Sequence, residues 1–77
     1  MDLTILKIDE RVYSGKFKSV SVPTEAGVVE ILPGHTALLT PLKEGKIVYR
    51  IEDGEEKEIE IKKGFLEVNN LEVLIII

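Results

Sequence analysis

The 77-residue chain has no cysteine, tryptophan or glutamine, a single histidine (His35) and a single methionine (Met1). Without cysteine, disulfides, thiolate-bound zinc, iron–sulfur clusters and thiol nucleophiles are excluded together. One histidine likewise excludes a metal site built from several imidazoles. Aromatic residues are scarce: Tyr13, Tyr49, Phe17 and Phe65 are the full set, and a sugar-stacking platform needs exposed aromatics. Long hydrophobic runs are missing too. The longest, Val73 to Ile77, falls far short of the ~20 residues of a membrane span, so direct insertion is not expected. Met1-Asp2 places an acid where a signal peptide carries its basic region, so none is expected. Basic charge is also in deficit, with 10 Lys and Arg against 14 Asp and Glu, a net charge of −4. A chain without a basic cluster is poorly equipped to neutralise phosphates, so no nucleic-acid partner is expected.

What remains is aliphatic. Hydrophobic residues make up 44% of the chain, mostly Ile, Leu and Val, and β-branched side chains suit a pleated, half-buried surface. The length allows one domain, residues 1–77, with no linker, repeat or low-complexity tract. No window sustains helical periodicity over the ~12 residues a helix needs.

Short strands separated by turn residues account for the whole sequence. They are expected at Leu3 to Ile8, Arg11 to Ser14 (ending at Gly15), and Phe17 to Val22. Phe17 and Val20 are out of phase, which predicts a bulge near Lys18, and Pro23 is expected to stop the strand. Thr24 to Gly27 reads as a turn, Val28 to Leu32 as a strand closed by Pro33-Gly34, and Leu38-Leu39 as a strand limited by Pro41. Lys46 to Ile51 and Lys57 to Lys62 flank an acidic turn, Asp53-Gly54-Glu55, centred on a left-handed Gly54. Matching their apolar faces pairs Ile47 with Ile61, Tyr49 with Ile59, and Arg50 with Glu58. A final hairpin, Phe65 to Val68 and Leu71 to Ile77, turns at Asn69-Asn70, residues that tolerate positive φ. Eight or nine such strands predict an all-β fold: one two-sheet β-sandwich of short antiparallel strands.

The residues for chemistry are sparse. Only Thr36 among the hydroxyl residues adjoins His35, and no acid in the sequence pattern orients that pair for nucleophilic catalysis. Acid pairs such as Glu58 and Glu60 alternate with apolar residues, the pattern of a solvated strand face. The glycines are too far apart to cradle a phosphate. A non-catalytic chain without cofactor or metal is therefore expected. Three features ask for more than a fold: the loop Ile31 to His35, the leucine-rich Ala37 to Leu42, and the run Val73 to Ile77, apolar on both faces. A strand of that last kind must be covered on both faces, by a tight core or by a partner.

At the first of these the sequence resembles a known family. Leu32-Pro33-Gly34-His35, then Leu38-Leu39-Thr40, Leu42 and Gly45, and later Gly64-Phe65-Leu66-Glu67-Val68, are similar to the N-terminal domain of the epsilon subunits of F-type ATP synthases. Tyr13-Ser14-Gly15, Val20-x-Val22-Pro23 and Gly27 fall in the same order, so the resemblance covers nearly the whole chain. It implies a two-sheet sandwich and a central-stalk (rotor) subunit of a proton- or sodium-translocating synthase, peripheral on the cytoplasmic face of the energy-coupling membrane. It implies two partners, the gamma subunit and the c-ring. Pro33, Gly34 and His35 match the c-ring end, and Thr40 to Leu42 the region near gamma, which makes Thr40 and Leu42 the gamma-side residues. Val28 and Glu30 stand where the family has its acid and a glycine, and strand periodicity puts them on one face, offering Glu30 to basic ring loops. Ala37 replaces the usual proline. The family's C-terminal helical hairpin has no counterpart in these residues, so inhibition of hydrolysis and ATP binding are not expected of them. The competing readings are a free-standing β-sandwich module binding protein or sugar and, weaker still, a small hydrolase.

Overall fold

The computed structural model describes residues 1–77. Eight strands follow in order: β1 (Asp2–Lys7), β2 (Glu10–Thr24), β3 (Gly27–Ile31), β4 (Leu38–Leu42), β5 (Gly45–Ile51), β6 (Glu56–Ile61), β7 (Gly64–Val68) and β8 (Glu72–Ile76). They form two layers joined through β2, one running β4-β7-β8-β1-β2 and the other β3-β2-β5-β6. The all-β sandwich expected from the sequence is the fold observed. Between the layers lie Leu3, Ile5, Phe17, Val20, Val22, Ile31, Leu42, Ile47, Tyr49, Ile61, Leu66, Val68, Val73 and Ile75. Burial alternates along most strands, as the two-residue period of a pleat requires.

Several local expectations are corrected. The segments expected as two strands around Gly15 are one 15-residue strand. Gly15 does not end it but pairs in register with Leu3, and the Tyr13 hydroxyl passes over that position to donate to the Lys16 carbonyl. The bulge is where the phase change placed it: pairing with β5 jumps between Phe17 and Ser19 and leaves Lys18 without a partner. Pro23 does not stop β2. It pairs with Val28, and its carbonyl, which accepts the Lys43 N–H at 3.0 Å, points away from β3. On that side the pairing with β5 runs only as far as Ser21, so the missing N–H of Pro23 takes no bond from the ladder. Thr24, the one buried polar side chain, holds the following turn, donating to the Gly27 carbonyl at 2.7 Å and accepting the Ala26 N–H at 3.2 Å.

The β5–β6 hairpin is displaced by two residues from the expected register. Ile47 pairs with Ile59, Gly45 with Ile61, and Arg50 with Glu56. Gly54 is left-handed, at φ 96°, but occupies the last position of a three-residue loop, Glu52-Asp53-Gly54, in place of its centre. Its N–H donates to the Ile51 carbonyl at 2.9 Å, and the Ile51 N–H donates to Glu55, which closes a turn followed by a glycine bulge. Arg50 reaches Glu56 at 2.8 Å, and Lys46 takes Glu58 at 3.3 Å. Reversing either Arg50 or Glu56 alone should destabilise the domain by about 0.2–1 kcal/mol, with the double reversal restoring most of the loss. Urea midpoints of the four proteins measure the coupling, and a zero coupling would remove this pair from the account of the hairpin.

At the last hairpin the asparagines work differently from the expectation. No residue other than glycine has positive φ. The Asn69 side chain caps the turn instead, accepting the N–H groups of Leu71 and Glu72 at 2.8 and 2.9 Å. The largest departure is the pairing of β8 with β1, which is parallel and joins the two ends of the chain from Asp2 opposite Glu72 to Leu6 opposite Ile76.

Candidate partner-binding surfaces

The two outward faces of the sandwich differ in chemistry. On the β3-β2-β5-β6 layer, register sets Glu30, Ser21, Val48 and Glu58 in one row. Arg50, Ser19 and Glu56 are neighbours on the same face. This face is charged and hydroxylated, and its ion pairs are exposed.

The outward face of the other layer is apolar. Pairing lines up Pro41, Phe65, Ile76 and Leu6 across four strands, and beside them Leu39, Glu67, Leu74 and Thr4. Leu39 is 67% exposed, Ile76 50% and Phe65 42%. Leu6 and Leu74 are half-buried yet do not pack on the core, so they face outward with the others. Six apolar side chains thus cover one sheet face. The sequence signal was the run Val73 to Ile77: Val73 and Ile75 enter the core, while Leu74 and Ile76 supply the second apolar face.

The residues expected to meet partners fall into two groups. Val28 and Glu30 share the exposed face of β3 as the pleat requires, Val28 being 76% exposed. Pro33 and Gly34 follow in the exposed β3–β4 loop. The His35 N–H donates to the Leu32 carbonyl at 3.0 Å, and the Gly34 N–H approaches the Met1 sulfur at 3.4 Å, which ties the loop to the start of β1. His35 itself is half-buried, with Nδ1 2.8 Å from the Thr36 carbonyl; a backbone carbonyl, and no carboxylate, orients its ring. Val28 and Glu30 thus lie on the edge strand β3, and Pro33, Gly34 and His35 in the loop that follows it.

The expected gamma-side pair does not form a surface. Leu42 is only 4% exposed and belongs to the core, because it lies on the inward side of β4 with Leu38. Thr40 is half-buried on the same side, its hydroxyl donating to the Pro41 carbonyl at 3.2 Å. The outward residues of β4 are Leu39 and Pro41. Phe65 on β7 is likewise outward.

The remaining aromatics leave no stacking platform. Tyr49 is buried, and Tyr13 lies against it with ring centroids 5.3 Å apart at a 44° tilt. Burial, then Tyr49, then the carboxylates of Asp53, Glu52 and Asp2 push the Tyr13 hydroxyl above its usual pKa, so it stays a neutral donor.

The comparisons with known proteins agree with this architecture. In the Euglena gracilis mitochondrial ATP synthase, resolved as an OSCP/F1/c-ring assembly in one rotational state, a chain superposes with a TM-score of 0.88 at 26% identity. That match covers 96% of this chain and 48% of the other. A chain of the Tetrahymena thermophila mitochondrial ATP synthase central stalk and c-ring superposes with a TM-score of 0.85 at 16% identity, over 99% of this chain and 61% of that one, a likeness of fold. The present chain thus spans 48% and 61% of the chains it resembles. The β-sandwich domain of the ATP synthase delta/epsilon chain matches residues 1–77, and the chain belongs to that family.

Proposed function

We propose that this chain is a non-catalytic central-stalk subunit of an F-type ATP synthase, joining the gamma subunit to the c-ring and coupling ion-driven rotation to ATP synthesis. The observation that carries the reading is the apolar outward face of the β4-β7-β8-β1-β2 layer, formed by Leu6, Leu39, Pro41, Phe65, Leu74 and Ile76. An apolar expanse on so small a domain marks a protein interface. Gamma is its occupant in this reading, so β4 contributes to the gamma side through Leu39 and Pro41, flanking Thr40. Val28, Glu30, Pro33, Gly34 and His35 meet the c-ring. The subunit is then peripheral, on the cytoplasmic face of the energy-coupling membrane, and needs neither cofactor nor metal.

Reconstitution tests this directly. Adding the chain to synthase depleted of its own stalk sandwich subunit should restore ion-driven ATP synthesis, while the isolated chain turns over no ATP. Folded chain that bound neither gamma nor the ring would remove the assignment. Glu30→Gln should weaken ring association and flatten its dependence on salt, because a carboxylate facing basic loops is screened over a Debye length of about 8 Å at physiological ionic strength. An unchanged salt profile would leave Glu30 without that role.

A further inference from the structure

One charged side chain stands within the apolar face. Glu67 projects outward from β7, directly opposite Leu39 on one side and Leu74 on the other, and Phe65 lies two residues before it on the same face. It takes part in none of the four ion pairs, Lys16–Asp2, Lys46–Glu58, Arg50–Glu56 and Lys57–Glu55. The cations nearest on this face are out of reach, and Lys16, three strands away on β2, is already paired with Asp2. Arg11, opposite Leu6, is three strands away, roughly 14 Å at ordinary strand spacing. Lys63 lies four residues back along an extended chain, about 13 Å.

In the free domain the Glu67 carboxylate is exposed and hydrated, which costs nothing. Covered by a purely apolar partner it would lose its water and gain no counter-charge, a strongly unfavourable burial. We propose that Glu67 is the specificity determinant of this face: the partner that covers it is an apolar protein surface presenting one Lys or Arg over the strip between β4 and β8. The inference rests on the reading that a stalk protein docks here. Charge also selects the class of occupant, since a carboxylate set among apolar side chains, with Glu72 and Asp2 along the border of the same face and a chain net charge of −4, is repelled by an anionic bilayer and attracted by a cation.

Titrating the intact chain against purified gamma, with four single variants, separates the two claims. Leu74→Asp tests whether the face docks at all and should weaken binding about 30-fold or more. Glu67→Lys should do the same by setting like charges together. Glu67→Gln keeps the shape and should cost about tenfold. Glu67→Leu is decisive. A paired carboxylate makes this variant bind more weakly, whereas an unpaired one makes it bind more tightly by removing a desolvation cost. Tighter binding by Glu67→Leu overturns the pairing while leaving the docking intact. An unchanged affinity for Leu74→Asp overturns the docking, and the pairing with it. Because Glu67 is exposed, its variants should melt with the parent, so weakened binding reports the interface. Binding of the parent chain to phosphatidylcholine vesicles through this face, lost in Leu74→Asp, would overturn the choice of a protein occupant.

Discussion

Truncating Ile75 to alanine should lower the stability of the isolated domain by about 2–5 kcal/mol, whereas truncating its neighbour Ile76 should cost less than about 1 kcal/mol. The two residues are adjacent on β8 and chemically identical. Ile75 is fully buried between the layers, where loss of its branch leaves a cavity lined by side chains held in place by their own strands. Ile76 points the other way, beside Phe65 and Leu6, with half of its surface already in water. At about 0.05–0.15 kcal/mol per residue, a domain of this length has roughly 4–12 kcal/mol in all, so the Ile75 variant would lose a large share of it. Partner binding should invert the ranking: Ile76→Ala should weaken association with the gamma partner proposed for this face, while Ile75→Ala should bind normally whenever it is folded. Urea unfolding and a binding titration on both variants give the comparison. Equal stability losses would contradict the assignment of the two faces.

Gly64→Ala, at the first residue of β7, is expected to be strongly damaging for so small a change. A Cβ built there would lie 2.8 Å from the Ile76 carbonyl oxygen and 3.0 Å from the Ile77 Cγ2. The first of these is backbone, in the strand that pairs with β7 through Phe65 and Ile76, and it cannot withdraw without opening the ladder. Overpacking of this kind costs about 1–3 kcal/mol. Gly54 provides the contrast, for nothing lies within 4 Å of its would-be Cβ and its requirement is a left-handed backbone alone. Asparagine, which tolerates that conformation, should therefore rescue Gly54→Ala in large part and do nothing for position 64. Melting curves of the four variants test the distinction; rescue at both positions would mean that Gly64 is needed for its backbone and not for its lack of a side chain.

The positions of most strands, the bulge at Lys18 and the left-handed Gly54 were legible because each depends on residues close in the chain. The β5–β6 register was missed by two residues for a reason inherent in strands: a slip of two returns every side chain to the same face. Ile47 is inward in either register, so the apolar pattern cannot choose between Ile59 and Ile61 as its partner; the loop geometry at Gly54 does. β4 misled in a related way. Leu38, Leu39 and Leu42 put apolar residues on both faces, and only the tertiary packing decides that Leu42 goes in and Leu39 out. The parallel contact of β1 with β8 links residues some seventy positions apart, a pairing that local pattern does not encode. Its trace in the sequence was indirect, the double-faced apolarity of both segments. The residues proposed to meet the c-ring came from family resemblance together with strand alternation at Val28 and Glu30, while the apolar face was half-visible in the C-terminal run.

The length of β2 has a mechanical consequence. Its first half is bonded to β1 in one layer and its second half to β3 and β5 in the other, with no break in the chain between them. Two layers held only by side-chain packing can slide over one another, because dispersion contacts resist shear weakly. Here, sliding would have to stretch covalent backbone. A pull applied to the apolar face and resisted along β3 is carried through β2 as tension in peptide bonds, and the hydrogen-bonded ladders on either side spread that load across both layers.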